Sequence, residues 1–277
     1  MTAFTGDLSG AATYRALDTS FCVVSDHPDL LHLIDDLYAH CITDAVSAHV
    51  IEIVTEPDGF CLALDSVVHI RGVAMAALLG RFVWEVNRLV RSTSTAHLLV
   101  HGAVVEIAGR GVVLCGASGS GKSTLSLALV ERGAGYLSDE IAAIDAASMR
   151  VTAYPKPITL RPDSWEFVAS MFPRCGSEVA GFMRDLWFLV PPVAVEHVDV
   201  SLIVLPNQLV GMNTELAPVG RDMALVALCE NTHSMRELGV DAFRRLAAVA
   251  RQCPAIQGSV RDLPGACDAI EAAVAQL

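Results

Sequence analysis

The sequence predicts an α/β protein with a smaller α+β domain at its N-terminus. From about residue 96 to the end, short runs rich in β-branched residues alternate with segments of helical periodicity, a pattern typical of strands interleaved with helices. A glycine-rich turn, Gly116–Gly121, stands between one apolar run and one helical segment. We therefore expect two domains, residues 1–95 and residues 96–277.

In the first domain, we expect residues 1–20 to lack regular structure. The elements expected after them are a strand at 21–25, a helix at about 26–41, strands at 50–54 and 60–64, and a helix at about 73–90. A turn at Glu56–Gly59 joins the two middle strands. The histidines of this domain lack metal-ligand spacing, and we expect the chemistry to lie in the second domain.

The second domain is expected to begin with three short strands separated by glycine-containing turns at Gly102 and at Gly109. The expected strands are 98–100, 104–107, 111–115, 136–137, 141–144, 158–160, 186–190 and 200–205. The expected helices are 122–132, 223–228, 240–251 and 263–274.

Composition excludes several classes of protein. The chain of 277 residues has 31 acidic and 19 basic residues, a net charge of −12 and 53% hydrophobic residues. A high apolar fraction excludes general disorder, and the acidic balance argues against nucleic-acid binding, which needs clustered Lys and Arg. The sequence shows neither a long apolar run nor a signal-peptide pattern, so we expect a cytoplasmic protein without a membrane partner.

The glycine-rich turn fits the phosphate-loop pattern GxxxxGK[ST]. Its residues are Gly116, Ala117, Ser118, Gly119, Ser120, Gly121, Lys122 and Ser123, and Thr124 follows. The glycines let backbone N–H groups converge on an anion, and the start of the next helix adds its positive dipole end. In such loops the lysine reaches the β- and γ-phosphates and the hydroxyl binds Mg²⁺. The sequence therefore predicts a site for a nucleotide phosphate.

Two adjacent acids, Asp139 and Glu140, follow the next short strand. Neighbouring side chains of an extended strand face opposite ways, so both acids reach the phosphates only if the chain bends there. One acid would then hold Mg²⁺, while the other accepts a proton from an attacking hydroxyl. A solvated acidic turn is the alternative interpretation.

Four short segments resemble the core of the bacterial HPr serine kinase/phosphorylase family. They are Val100–Val104 (VHGAV), the phosphate loop, Glu131–Gly133 (ERG) and Leu137–Glu140 (LSDE). The resemblance covers about residues 96–165, and Pro155–Arg161 is similar to a segment of smaller HPr kinase-related proteins, which include lasso-peptide precursor kinases. It implies an HPr kinase-like P-loop fold for residues 96–277, whereas residues 1–95 do not resemble the N-terminal domain of true HPr kinases.

The resemblance also implies roles for individual residues. Asp139 matches the catalytic base, Glu140 stands where the family usually has a second Asp and would bind Mg²⁺ with Ser123, and His101 matches an active-site histidine. Arg161 matches an arginine near the phosphates. The implied activity is an ATP- and Mg²⁺-dependent kinase acting on a Ser or Thr hydroxyl of a peptide or small protein, such as a natural-product precursor. The family segment that supports phosphorolysis is not clearly present, so we expect inefficient reverse reaction.

Lysine is scarce, because Lys122 and Lys156 are the only lysines of the chain. This scarcity suggests that Lys156 contacts substrate or phosphate, and the alternative is a surface lysine between two prolines. Two other functions stay open, namely a small-molecule hydroxyl kinase and a nucleotide-binding regulator or ATPase without an acceptor. The sequence also leaves open a homo-oligomer and a role for the polar segment Glu230–His233.

Overall fold

The computed structural model describes residues 10–145, 147–160, 187–191, 193, 195–207, 215–260 and 262–277. The described residues separate into two compact units. Unit 1 contains residues 10–94 together with 156–160 and 187–190, and unit 2 contains the other described residues. The second domain expected from the sequence, residues 96–277, included 156–160 and 187–190. The candidate site residue Arg161 lies outside the described residues.

Residues 10–94 of unit 1 form a five-stranded sheet with two α-helices. Its elements are β1 (Gly10–Ala16), β2 (Thr19–Ser25), α1 (Pro28–Leu37), β3 (His49–Glu56), β4 (Gly59–Leu64), β5 (Val67–Val73) and α2 (Met75–Thr93). The strands follow chain order across the sheet, with β2 and β3 parallel and the other neighbours antiparallel. Leu78, Phe82 and Val86 form the buried stripe of α2, because residues four apart share one face of a helix.

The prediction that residues 1–20 lack regular structure is wrong, because β1 lies within them. Its sequence, GAATYRA, is rich in small residues that have little strand propensity alone. Pairing with β2 along the whole strand supplies the backbone hydrogen bonds, and Tyr14 and Ala16 turn towards the core. Strand β5 was also not expected.

Unit 2 is built on a mixed sheet. Its elements begin with β6 (His97–Ile107), β7 (Arg110–Cys115), α3 (Lys122–Glu131), β8 (Gly135–Ser138), β9 (Ile141–Asp145) and β10 (Arg150–Thr152). After them, β11 (Ile158–Leu160) and β12 (Trp187–Leu189) form an antiparallel pair that belongs to unit 1. Unit 2 continues with β13 (His197–Asn207), β14 (Glu215–Val219), α4 (Arg221–Asn231), α5 (Met235–Gln252), β15 (Ala255–Ser259) and α6 (Leu263–Ala275).

The strand order of this sheet is β10-β9-β6-β7-β13-β15-β14, and β8 pairs with β6. Strand β13 runs parallel to both β7 and β15, so the carboxyl ends of these three strands lie at one edge of the sheet. A cluster of buried apolar side chains joins the sheet to α4 and α5, and includes Val113, Ile203, Leu228 and Leu246. This core fixes the strand edge on which the phosphate loop begins.

The predicted turn at Gly102 is wrong, because β6 runs unbroken from His97 to Ile107. A Cβ atom at Gly102 would lie 2.7 Å from the carbonyl oxygen of Leu114 in β7. Glycine at this position therefore allows two strands to approach closely and does not end a strand. Strands β10, β14 and β15 were also not expected.

No helix among the described residues is long and apolar enough to cross a membrane.

Candidate active site

The phosphate loop connects the buried strand β7 to helix α3. Gly119 has φ 80° and Gly121 has φ 91°, in the left-handed region that favours glycine. Gly121 is also the residue that caps α3, and as a glycine it has no side chain to accept a hydrogen bond from the first turn of the helix. The N–H groups of that turn are therefore available to an anion at the positive end of the helix dipole.

The Lys122 side chain turns back across this loop. Its Nζ donates hydrogen bonds to the carbonyl oxygens of Gly116 and Ala117, both at 2.8 Å, and the residue is only 5% exposed. An ammonium group has three donors, so one remains for a phosphate oxygen. Burial lowers the pKa of Lys122, whereas the nearby Cys115, Glu140 and Asp139 act to raise it. Both acids thus contribute to the electrostatic environment of the lysine.

The chain bends at Asp139 and Glu140, which is the condition under which the sequence allowed both acids to reach the phosphates. Strands β8 and β9 pair with successive parts of β6, so the two acids lie where the chain passes from one pairing to the next. Asp139 is 6% exposed, and the hydroxyl of Tyr136 donates to its Oδ1 at 3.4 Å. Burial and then the Asp139 charge raise the pKa of Tyr136 well above its ordinary value, which keeps this hydroxyl protonated as a donor.

His101 contacts the second acid of the pair. Its Nδ1 lies 3.2 Å from the carbonyl oxygen and 3.6 Å from Oε1 of Glu140, and the N–H of Gly102 donates to the same carbonyl at 3.1 Å. The ring of His233 lies edge-on to His101, with 6.4 Å between centroids. The polar segment after α4 therefore reaches the site, because the N–H of His233 donates to Leu99 of β6.

The donor set suits magnesium. Ser123 and Glu140 provide a hydroxyl and a carboxylate, the hard oxygen ligands that Mg²⁺ prefers. No group of three or more His, Cys, Asp or Glu residues in the described part of the chain is arranged to hold a metal. In nucleotide sites Mg²⁺ takes one or two protein ligands and completes its shell with phosphate oxygens and water, which these two residues match.

Lys156 is buried and does not lie at the surface. The residue belongs to unit 1, is 3% exposed, and its Nζ donates to the carbonyl oxygen of Pro157 at 3.1 Å. The alternative of a stray surface lysine is therefore wrong. A buried ammonium is costly unless it is hydrogen-bonded, which explains its contact with backbone.

A cavity of about 450 Å³ opens beside the first half of the phosphate loop. Beyond the loop it is lined by the end of β13, including Asn207, by Gln257 in the middle of β15, and by Met223 and Val226 of α4. In the described part of the chain, Asn207 Oδ1 is buried without a hydrogen-bond partner, and so is Ser120 Oγ. Sequence reasoning missed these lining residues, although a polar residue closing an apolar strand is a detectable signal at Asn207.

A family model matches the segment that contains the phosphate loop and the paired acids. Residues 92–159 match the family model of the HPr serine kinase C-terminal domain. An HPr kinase/phosphorylase of Chlorobium phaeovibrioides is 36% identical over 73 residues, which are 26% of this chain and 22% of that protein. One from Lactobacillus acidophilus is 54% identical over 41 residues, 15% of this chain and 13% of that protein. The chain thus spans less than a quarter of the length of these relatives.

A solved structure, the HPr(Ser) kinase/phosphatase from Coxiella burnetii, aligns with 64% of this chain and 94% of its own, at 16% identity and a TM-score of 0.34. The likeness to this family rests on residues 92–159, which contain the phosphate loop, helix α3, strand β8 and the paired acids. Over residues 92–159, this chain is HPr kinase-like.

Proposed function

We propose that this protein is an ATP- and Mg²⁺-dependent kinase that phosphorylates a Ser or Thr hydroxyl of a peptide or small protein. The observation that carries the proposal is the grouping of Lys122 with Asp139 and Glu140 at a phosphate loop. A regulator that only binds nucleotide needs the loop and the lysine, whereas a buried acid beside them is what proton removal requires.

Each residue has one task in the proposed transfer. The loop amides and Lys122 bind the β- and γ-phosphates of ATP and hold the γ-phosphorus in line with the acceptor oxygen. Asp139 accepts the hydroxyl proton as the new O–P bond forms and the bond to the bridging oxygen of ADP breaks. Tyr136 holds the Asp139 carboxylate by its 3.4 Å contact.

Ser123 and Glu140 would hold Mg²⁺, which neutralises phosphate charge when bound. The contact of His101 with Glu140 fixes the orientation of that carboxylate. Because the glutamate side chain is longer than the aspartate usual in the family, its backbone needs firm anchoring. The N–H of Gly102 supplies it through a hydrogen bond to the Glu140 carbonyl.

The names of the relatives, HPr kinase/phosphorylase, support the proposed acceptor class. A cytoplasmic location is part of the same proposal. The expected reaction runs forward, with weak phosphorolysis of the product. We place Lys156 and Arg161 on the substrate side as cations for acceptor or phosphate.

The test is incubation of the purified chain with γ-labelled ATP and either a peptide and protein pool or a metabolite pool. Label in peptide supports the proposal, and label only in metabolites indicates a small-molecule kinase. Release of labelled phosphate without an acceptor indicates an ATPase. The matched control is Lys122→Ala, which must lose labelling in every pool if the phosphate loop is the site.

A further inference from the structure

The two outer strands of the unit 1 sheet, β1 and β5, differ in what covers their outer sides. On the outer side of β1, Ile42 forms a bridge with Tyr14, and the N–H of Thr43 donates to the carbonyl oxygen of Thr13 at 2.9 Å. In the described part of the chain, β5 pairs with β4 alone. The uncovered edge of this sheet is therefore β5.

Strand β5 has the properties of an edge that accepts another strand. It spans seven residues, and its first two, Val67 and Val68, are 60% and 46% exposed. An outer strand presents a row of unpaired N–H and C=O groups. An extended peptide binds such an edge through its own backbone, and its alternate side chains contact the neighbouring surface.

A bulge connects this edge to helix α2. The register with β4 shifts between Val68 and Ile70, so His69 is an extra residue in β5. A bulge changes the direction of the side chain at that point, and Nδ1 of His69 lies 2.9 Å from Oε1 of Glu85 in α2. The face of α2 that contains Glu85 therefore adjoins β5.

That face presents a tryptophan and two arginines. Arg81, Trp84 and Arg88 are spaced three and four residues apart, so they share one face of the helix. Glu85 is fully buried, and its carboxylate lies 2.5 Å from Nη2 of Arg81 and 2.6 Å from Nε of Arg88. The two guanidinium groups lie 4.5 Å and 6.0 Å from the centre of the Trp84 ring, which is 47% exposed. The buried carboxylate thus holds both arginines at an exposed indole.

The charge of this group favours an acidic partner. Two guanidinium groups contact one carboxylate, so the group has an excess of positive charge in a chain of net charge −12. Nε of Arg88 donates to Glu85, which leaves its terminal nitrogens for a partner. A guanidinium has donors in a fork that matches a carboxylate, and Trp and Arg are enriched among the residues that dominate binding at protein interfaces.

We propose that β5 and this face of α2 bind an extended acidic segment of the acceptor peptide or protein. The segment adds to the sheet beside β5, its carboxylates pair with Arg81 and Arg88, and an apolar side chain covers Trp84. That the segment belongs to the acceptor rests on the proposed function, whereas the binding itself requires no phosphoryl transfer. Residues 1–95 would thereby contribute to recognition of the acceptor.

The test measures binding of three fluorescein-labelled peptides to the full chain by fluorescence anisotropy. The first peptide alternates Thr and Glu around a central Leu, and the second has Lys in place of every Glu. The third is the first peptide with N-methyl groups on its central backbone amides, which removes the donors that pair with a strand. We expect the first peptide to bind at least about tenfold more tightly than either of the others.

Two variants locate the binding surface. Trp84→Ala and Arg88→Gln should each weaken binding of the acidic peptide at least about fivefold, an effect typical of important interface residues. The matched controls are Ile42→Ala and Arg15→Gln, which change exposed side chains at the β1 edge. Each control should leave the affinity within about twofold, and circular dichroism confirms that every variant is folded.

Equal binding of the acidic peptide and of either comparison peptide would overturn the proposal, and so would an unchanged affinity in the folded Trp84 and Arg88 variants. A wild-type dimer that binds no peptide and that Trp84→Ala dissociates would show that a second copy covers β5, which also overturns it. Sedimentation velocity detects that dimer. A wild-type chain that binds the acidic peptide and transfers phosphate to no acceptor would contradict the proposed function and support the binding surface.

Discussion

At the scale of single residues, Lys122 shows why the phosphate loop contains a lysine in a chain that otherwise uses arginine. Its ammonium group donates hydrogen bonds to two carbonyl oxygens of the loop at 2.8 Å, and the residue is buried. A guanidinium group is wider and planar, and its donors point in a fixed fork. The loop therefore requires a side chain whose charged group is compact as well as positive, which lysine has and arginine lacks.

Replacement of Lys122 by Arg tests this selection. Lys122→Arg keeps the charge, so electrostatic attraction alone would preserve function, yet we expect at least about a hundredfold loss of phosphoryl transfer. The measurement is the initial rate of labelled phosphate transfer under saturating acceptor. A variant rate within threefold of the wild type would show that shape is unimportant at this position.

The buried Lys156 allows a second test at this scale. The residue is 3% exposed, and its ammonium group donates a hydrogen bond to the carbonyl oxygen of Pro157. We expect Lys156→Arg to slow phosphoryl transfer at least fivefold, because the wider group cannot keep the same contacts. Urea unfolding of the same variant distinguishes the two roles, since a purely structural lysine would lower stability without changing the rate of the folded fraction.

The residues of the phosphate loop and the paired acids could be predicted from sequence because their pattern is local. Lys122 and Asp139 lie within one strand–loop–helix–strand segment, where spacing alone brings them together. Asn207 was not predicted as a neighbour of this site, and His233 belonged to a polar segment whose role the sequence left open. They approach it only because β13 pairs with β7, and because the chain after α4 bonds to β6.

At the scale of elements, long strands with close neighbours were the hardest to predict. Glycine usually interrupts a strand, so Gly102 suggested a turn, but β6 continues through it because β7 passes close by. β1 and β15 gain their strand conformation from pairing and show weak local signals. Helices α2 and α6, which have clear apolar periodicity, agree with the predictions to within a few residues.

The guanidinium group of Arg132 connects the end of α3 to α6 through ion pairs. Arg132 contacts Asp268 at 2.5 Å and Glu271 at 3.0 Å, and donates to the carbonyl of Pro264. We expect Arg132→Ala to lower the free energy of unfolding by about 1 kcal/mol, the upper range for partly exposed ion pairs. The matched control is Arg244→Ala, whose ion pair with Asp241 is largely exposed, and urea denaturation should show a smaller effect there.

At the scale of the whole molecule, buried thiols make stability depend on pH. Burial raises the pKa of Cys41 and Cys115 to about 12, and that of Cys253 and Cys267 to about 11, from an ordinary value of 9.0. Above pH 9 the unfolded chain therefore binds fewer protons than the folded chain, and the free energy of unfolding falls as pH rises. Lys122 has the opposite effect on the free energy of unfolding, because burial lowers its pKa. It is one group against several thiols.

We predict a loss of stability between about pH 9 and pH 11, with a slope of about 1.4 kcal/mol per pH unit for each thiol that ionises only on unfolding. Urea denaturation at several pH values measures the slope. Cys115→Ala should flatten it by one such contribution, whatever its effect at neutral pH. An unchanged slope in that variant would mean that this thiol ionises equally in both states.

In the proposed reaction, two parts of unit 2 have separate roles. The phosphate loop binds the phosphates of ATP, and Asp139 removes the proton from the acceptor hydroxyl. Asp139→Asn preserves the shape and the contact with Tyr136, but an amide cannot accept the proton. The most direct measurement pairs the transfer rate with the ATP affinity of this variant. We expect the rate to fall by about 10²–10⁴-fold while the affinity stays within threefold, and a variant that transfers phosphate at the wild-type rate would contradict the account.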